Sequence, residues 1–279
     1  MESAVSLQQL LVRLRERRPL VLGVANYVTA NDCANALLAI GAAPVLGDDP
    51  GDVSDLTARC DALFLNLGTP TRPTLAAMDA AARRANELGR PVILDPVGAG
   101  ATRFRTAAAQ ELLRARRIAV VSGNASEIKA LAGGAGETRG VDAAAADAVT
   151  EATLAGWAAL ARRFAAQANA VVALSGPIDI VADGRRAVAI RNGTPRMATV
   201  SGTGCMRSAL TAAFLSVAPD DPFLAAQAAA CLFGIAGELA AQAMQPVDGN
   251  ASYRNRLVDA LERLSNGDVA RLARLEVLP

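Results

Sequence analysis

The chain has 279 residues, of which 52% are hydrophobic and 20% charged, and its formal net charge is +1. This composition is typical of a globular chain with a full core, and it argues against disorder and against nucleic-acid binding by bulk charge. The chain contains no His. It therefore cannot form a Ser-His-Asp or Cys-His catalytic pair, an HExxH zinc site or a histidine pH sensor.

The single lysine and the four cysteines narrow the chemistry further. Lys129 is followed by Ala rather than Ser or Thr, so the chain has no Walker A phosphate loop. No CxxC pair is present, which excludes a thioredoxin-like motif and a cysteine zinc site. Free thiols in a reducing cytoplasm are expected for the four residues Cys33, Cys60, Cys205 and Cys231.

Two segments resemble targeting or membrane segments only superficially. Residues 1–20 form an amphipathic pattern with four arginines and no uninterrupted apolar run, which predicts a short surface helix rather than a signal peptide. Residues 223–244 are apolar but are interrupted by Gln227, Glu238 and Gln242, and Ala supplies most of their apolar character. They predict a buried core helix and no contact with a membrane.

Short apolar runs alternate with Ala-rich helical stretches as far as about residue 190. This alternation predicts an α/β fold with a mostly parallel central sheet and helices on both faces. The predicted strands are 20–24, 43–46, 62–65, 91–94, 118–121 and 170–174. Helix N-caps are predicted at Asn31, Thr71, Thr106 and Asn124, and C-cap glycines at Gly41 and Gly89.

Beyond the predicted parallel strands the pattern changes. Residues 178–190 are typical of a hairpin that turns at Asp183-Gly184, and Asn192-Gly193 marks a second turn before a short segment that reaches Val200. Everything after Val200 is predicted to be helical. The glycines at 133, 134, 136 and 140 are too few to form an interdomain linker, so a single domain over 1–279 is expected.

Polar and small residues follow five of the predicted strands. Because ligands bind outside the carboxyl ends of the strands in an open parallel sheet, these residues indicate a site at that edge. One polar strand end alone is more often an ordinary turn, whereas five converging ends favour a site. The segments concerned are Asn26, 66–69, 95–98, 122–124 and 175–176.

A Gly-rich segment at 201–206 leads directly into a helical run. Gly202, Thr203 and Gly204 allow the backbone to approach a ligand closely, and the first N–H groups of the helix can bind a phosphate without a lysine. The same helix N-terminus predicts a lowered pKa for the thiol of Cys205, which could then accept a proton from an alcohol. The alternative is tight packing around a buried cysteine.

Two carboxylates complete this group of residues. Asp95 at a strand end and Glu127 supply the hard oxygen ligands that suit Mg²⁺ bridged to phosphate. Glu127 also follows Asn124 at the spacing of a capping box, and the two interpretations are compatible. Arg103 and Arg105 could contact phosphates, but a solvated role is favoured in a chain so rich in arginine.

Segments 26–42, 65–69, 93–102, 123–127 and 202–205 together resemble the hydroxyethylthiazole kinase family, the thiamine-salvage branch of the ribokinase-like superfamily. The resemblance implies a ribokinase-like three-layer sandwich. It also implies transfer of the ATP γ-phosphate to the primary alcohol of 4-methyl-5-(2-hydroxyethyl)thiazole, with Mg²⁺ as cofactor. A homotrimer with active sites between subunits is the implied assembly.

The same resemblance assigns roles residue by residue. Cys205 matches the catalytic cysteine, and the backbone of Gly202, Thr203 and Gly204 matches the anion hole. Metal-binding positions fall on Asp95 and Glu127. Thiazole-side positions fall on Asn26, Leu46, Gly68 and Gly202, and nucleotide-side positions fall on Ser122, Asn124 and Ser175.

The chain departs from the family pattern at four positions. The family usually has Arg at the position of Ser122 and Thr at the position of Ser175. It usually has Met at the position of Leu46 and His at the position of Leu22. Losing the arginine removes a permanent charge that another arginine would have to replace. A kinase of another small heterocyclic alcohol and a weakened thiazole- or nucleotide-binding homologue therefore stay open, although the presence of Cys205 favours an active enzyme.

Overall fold

Nine strands form one sheet in the computed structural model, which describes residues 2–133 and 147–279. They are β1 Leu20–Val24, β2 Ala43–Leu46, β3 Ala62–Asn66, β4 Val92–Asp95, β5 Val120–Asn124, β6 Val171–Ser175, β7 Asp179–Ala182, β8 Ala187–Ile190 and β9 Leu275–Leu278. Their order is β2-β1-β3-β4-β5-β6-β7-β8-β9. Neighbours from β2 to β6 pair in parallel, whereas β7, β8 and β9 are antiparallel additions.

Helices cover both faces of this sheet. They are α1 Glu2–Arg17, α2 Ala30–Ile40, α3 Val53–Arg59, α4 Arg72–Glu87, α5 Arg103–Ala115, α6 Ala125–Leu131, α7 Leu154–Ala168, α8 Thr203–Val217, α9 Pro222–Gln242, α10 Asn250–Arg263 and α11 Asn266–Leu272. In β3, Phe64 packs into the core beneath α8, while Leu63 and Leu65 pack into the core on the opposite face. Burial on both faces explains why the strands are continuously apolar.

The predicted three-layer α/β architecture is confirmed. All six predicted strands exist, with ends that differ by at most three residues, and the 178–190 hairpin is formed by β7 and β8. The predicted core helix at 223–244 corresponds to α9. Among the described residues, α9 is the one helix long and apolar enough to cross a membrane, and it is mostly buried inside the protein. Gly134, Gly136 and Gly140 lie outside the described residues.

Two of the four predicted N-caps are confirmed. Thr71 and Asn124 each close a capping box at the start of α4 and α6. The predicted N-caps at Asn31 and Thr106 are wrong, because these residues lie inside α2 and α5. The latter helix starts earlier because the Thr102 hydroxyl accepts from the Arg105 N–H at 3.2 Å. The two C-cap glycines are confirmed by left-handed backbones, with φ of 107° at Gly41 and 67° at Gly89.

Both ends of the chain correct the sequence predictions. The N-terminal helix is not a short surface helix, since α1 has 16 residues and buries Leu7, Leu11 and Leu14 in the core. The prediction of helix throughout after Val200 is also wrong, because β9 pairs with β8 at the sheet edge. The strand has only four residues, of which only Leu278 is buried. Its sequence therefore lacks the alternation of apolar and polar residues that would predict a strand.

Candidate active site at the carboxyl ends of the strands

Three side chains from neighbouring strands form a buried hydrogen-bonded chain. Asn26 follows β1, Asn66 ends β3 and Asp95 ends β4, and all three are buried. Asn26 Nδ2 donates to Asn66 Oδ1 at 2.7 Å, and Asn66 Nδ2 donates to Asp95 Oδ2 at 2.7 Å. Parallel register brings these strand ends together, with Asn66 directly beside Asp95. The convergence expected at this edge is present for these residues.

The N-terminus of α8 approaches this chain through Cys205. The thiol Sγ lies 3.6 Å from Asn26 Nδ2, which also lies 2.7 Å from Thr29 Oγ1. Asn26 Oδ1 accepts from the backbone N–H groups of Val28 and Thr29, each at 3.0 Å. Backbone and side-chain contacts therefore fix the amide orientation that faces the thiol.

The loop before α8 has the geometry of an anion cradle. Gly202 has a φ of 87°, and a Cβ there would lie 2.6 Å from Thr29 Cγ2, so both its backbone and its surroundings require glycine. The first helical bond runs from Met206 N to Gly202 O at 2.8 Å. The preceding N–H groups of Thr203, Gly204 and Cys205 therefore have no acceptor within the helix. A Cβ at Gly204 would meet no atom within 4 Å, so the cradle opens onto space.

The predicted lowering of the Cys205 pKa is wrong. Burial is the largest effect on this thiol and, together with the charge of Asp95, raises its pKa to about 12, against smaller opposing effects of hydrogen bonds with Thr29, Asn66 and Asn26. Only 8% of Cys205 is exposed. In the ligand-free protein Cys205 is therefore a neutral thiol at pH 7.

Glu127 in the first turn of α6 and Asp95 at the end of β4 are both buried. The capping-box interpretation of Glu127 is confirmed, since its Oε2 accepts from Asn124 N at 2.8 Å. Its Oε1 accepts from Gly98 N at 2.8 Å and ties the loop after β4 to the start of α6. Burial raises the pKa of Glu127 to about 8, with a further contribution from the charge of Asp95. Burial likewise raises the pKa of Asp95 to about 6.

Asp95 and Glu127 are the carboxylates of this site that could hold a Mg²⁺ ion shared with phosphate. Within residues 2–133 and 147–279 there is no group of three or more His, Cys, Asp or Glu side chains that could hold a metal ion. Mg²⁺ commonly binds through one or two carboxylates and takes its other ligands from water and phosphate. A cation between Asp95 and Glu127 would also offset the mutual repulsion that raises the Glu127 pKa.

The three expected nucleotide-side residues lie at the ends of two paired strands. Asn124 of β5 is in register with Ser175 of β6, and Ser175 Oγ lies 3.4 Å from the carbonyl oxygen of Gly123. Ser122 is buried and lies 3.2 Å from Ser208 Oγ. The Ser208 hydroxyl also hydrogen-bonds Asp95 and lowers its pKa. Ser122 is therefore linked through one hydroxyl to the carboxylate chain.

Gly68 and Leu46, the two remaining thiazole-side residues, differ in their contacts with this network. Gly68 N donates to Asn66 Oδ1 at 2.9 Å, and a Cβ at Gly68 would lie 2.6 Å from Asn26 Nδ2, so this loop must stay unbranched. Leu46 ends the edge strand β2 beside Gly23 and is half-exposed. No described contact joins Leu46 to the polar chain around Asn26.

Asn66, which lies in the expected segment 66–69, links Asn26 to Asp95. Arg207 also belongs to this network, since it contacts Ser122 from α8, but the sequence alone does not single it out. The sequence offers one indication of Arg207, which is that it is the only charged residue in the helix 203–217. The solvated role favoured for Arg105 is wrong, since the residue is partly buried and its Nη1 donates to the carbonyls of Leu67 at 2.7 Å and Val97 at 3.0 Å. It holds two strand-end loops together.

Comparison with known proteins shows the family of this chain. The model of the hydroxyethylthiazole kinase family matches residues 11–267. The chain belongs to this family. A hydroxyethylthiazole kinase of Clostridium acetobutylicum is 44% identical over 270 residues, which cover 97% of this chain and 99% of that protein. The resemblance drawn from the ordered motifs is confirmed.

Solved structures of other proteins share the fold of this chain. The structure of a hydroxyethylthiazole kinase protein from Pyrococcus horikoshii OT3 has a TM-score of 0.86 at 37% identity and covers 98% of this chain and 99% of its own. The structure of a ribokinase-like superfamily protein from Enterococcus faecalis V583 has a TM-score of 0.59 at 13% identity. That match covers 88% of this chain and 87% of the other protein. The expected ribokinase-like architecture is confirmed.

Proposed function

We propose that this chain is an ATP-dependent kinase that phosphorylates the primary alcohol of 4-methyl-5-(2-hydroxyethyl)thiazole in thiamine salvage. The observation that carries this proposal is the buried chain from Cys205 through Asn26 and Asn66 to Asp95, in a member of the hydroxyethylthiazole kinase family. It joins the N-terminus of α8 to a carboxylate suited to Mg²⁺.

The site residues divide into four groups in this proposal. Backbone N–H groups of Thr203 and Gly204 stabilise charge on the phosphoryl oxygens, and Asp95 and Glu127 hold Mg²⁺. Bound Mg·ATP supplies the phosphoryl group and neutralises charge that develops during transfer. The nucleotide lies toward Ser122, Asn124 and Ser175, and the thiazole toward Asn26, Leu46, Gly68 and Gly202.

Cys205 receives a modified role in this proposal. A thiol with a pKa of about 12 does not abstract a proton from the alcohol before ligands bind. Phosphoryl transfer depends mainly on positioning and charge stabilisation, so a strong base is not required. We assign to Cys205 the orientation of the substrate alcohol, with the Asn26 amide 3.6 Å away fixing the thiol.

A cytoplasmic trimer belongs to the same proposal. All four cysteines are free thiols and buried, which suits a reducing compartment. Tyr27 and Val28 are large apolar residues that directly follow Asn26 and are exposed. Exposed apolar residues beside a site suit coverage by another subunit. A single domain over 1–279 is proposed as well, since one sheet includes strands from both ends of the chain.

The decisive experiment measures ADP release with ATP, Mg²⁺ and the thiazole alcohol. The native protein should turn over, and Cys205→Ala should lose on the order of 10²-fold in kcat while its nucleotide affinity changes less than about twofold. A panel of hydroxymethyl and hydroxyethyl heterocycles tests the alternative acceptors. Nucleotide binding without transfer to any alcohol would identify a weakened homologue instead.

A further inference from the structure

Arg207 is the only cationic side chain that is buried among the described residues, with 5% of its surface exposed. Its Nη1 lies 3.3 Å from Asp179 Oδ2. Its Nη2 donates to Ser122 Oγ at 3.2 Å and to the carbonyl of Ala173 at 3.3 Å. An arginine is rarely buried this deeply unless it is paired with an opposite charge, which Asp179 supplies here.

The guanidinium lies near three carboxylates, which belong to β4, α6 and β7. Its positive charge lowers the pKa of Asp95, Glu127 and Asp179, although burial is the larger effect and leaves all three raised. Ionised carboxylates at this edge of the sheet repel a polyphosphate, and Arg207 supplies an opposing positive charge there. Without Arg207 the charge at this edge would be more negative by one.

Packing alone does not account for this arginine. Its Nε is buried and has no hydrogen-bond partner among the described residues. A buried donor without a partner is costly, and an apolar side chain of similar volume would avoid that cost. Most other residues of α8 are apolar and buried, so a leucine would suit the helix better than a cation.

We propose, on the basis of the proposed function, that Arg207 is a positioning residue for the nucleotide, whose buried charge offsets the carboxylates and permits a polyphosphate to bind beside α8. Arg207 acts from within the helix, through Ser122 and through its field, and need not touch the phosphates. Electrostatic interactions of this kind are strong where water is excluded. The benefit should therefore grow with the number of phosphates on the ligand.

Titration calorimetry with AMP, ADP and ATP tests this gradient. Arg207→Leu should bind ATP about tenfold or more weakly than the native protein does. Its affinity for ADP should fall less, and its affinity for AMP should stay within about twofold of the native value. Arg207→Lys should recover part of the ATP affinity. Arg116→Leu, which breaks the Asp79 ion pair at the other edge of the sheet, should leave all three affinities unchanged.

A relocated charge separates an electrostatic role from a structural one. Ser122→Arg places a guanidinium on the residue that Arg207 contacts in the native protein. The double variant Ser122→Arg with Arg207→Leu should therefore bind ATP more tightly than Arg207→Leu alone. Equal losses for all three nucleotides, no loss at all, or no recovery in the relocated variant would overturn the proposal.

Folding and function are separable in this design. If Arg207→Leu fails to fold, Arg207→Gln removes the positive charge but keeps a side chain that can hydrogen-bond Asp179, and the same gradient is expected because the positive charge is again lost. A native protein that binds ATP but transfers no phosphate to the thiazole contradicts only the proposed function.

Discussion

The thiol of Cys205 shows how burial decides chemistry at the scale of one residue. A helix N-terminus favours a thiolate, but removal of the thiol from water disfavours any charge, and the carboxylate of Asp95 adds repulsion. Burial is the largest of these effects. The sequence shows the helix start and the glycines before it, whereas the depth of burial depends on which distant segments cover the thiol.

Alkylation measures this protonation state directly. Because the pKa of Cys205 is about 12, iodoacetamide should modify it far more slowly at pH 7 in the folded protein than in urea. Mass spectrometry of digested protein assigns the modified residue. Rapid modification of Cys205 in the native protein at pH 7 would instead show a thiolate and restore the role of proton acceptor.

The buried carboxylates predict how the stability of the ligand-free protein depends on pH. The pKa of Glu127 rises from an ordinary 4.5 to about 8 and that of Asp95 from 3.8 to about 6. The folded state therefore keeps protons that the unfolded state releases, so the free energy of unfolding should fall as pH rises from about 4.5 to about 8.

Glu127→Gln isolates the larger of these two contributions. The amide cannot titrate, so the fall in stability with pH should become shallower in this variant. Urea denaturation across the pH range measures the slope, which is the relevant quantity because Gln places an NH₂ group against a backbone N–H and lowers stability at every pH. An unchanged slope would contradict the raised pKa of Glu127.

At the scale of elements, α1 contributes much more to the fold than a surface helix would. Leu11→Ala should lower the free energy of unfolding by about 2–5 kcal/mol, because it leaves a cavity in the core. Val12→Ala on the same helix removes a side chain that is 39% exposed and should change stability by less than about 0.5 kcal/mol. Urea denaturation of both variants distinguishes a core helix from a peripheral one, for which the two losses would be alike.

Local signals predicted the elements whose causes lie within them. The apolar strands, the capping boxes at Thr71 and Asn124 and the hairpin at Asp183 follow from nearby residues. The edge strand β9 pairs with β8, which lies more than 80 residues earlier in the chain, and such a partner leaves no local pattern. Arg207 is similar, since its contacts with Ser122 and Asp179 arise only when strands and helix are assembled.

At the scale of the whole molecule, parallel register turns separated motifs into one site. Strands β1, β3, β4 and β5 end at the same edge, and α8 packs across them with its N-terminus at that edge. The motif order therefore predicted the edge and most of the residues that meet there. Contacts with a second copy of the chain are a separate question, because they depend on the exposed surface beside Asn26.

The assembly prediction concerns that exposed surface. Tyr27 is 81% and Val28 61% exposed, next to a residue of the proposed site. Native protein should have the mass of three chains in light scattering coupled to gel filtration. Val28→Asp should reduce that mass to one chain and lower kcat with the thiazole, because a charge in an apolar interface is costly and each site is expected to lie between subunits.

A matched substitution elsewhere keeps this prediction specific. Leu88 is 39% exposed and follows α4 beside Gly89 and Arg90, at the edge of the sheet where β4 begins. Leu88→Asp adds the same charge in place of an exposed apolar residue and should leave both mass and turnover unchanged. A native protein that is active as a single chain, or a Val28→Asp variant that keeps both the trimer mass and full activity, would contradict an active site completed by a second subunit.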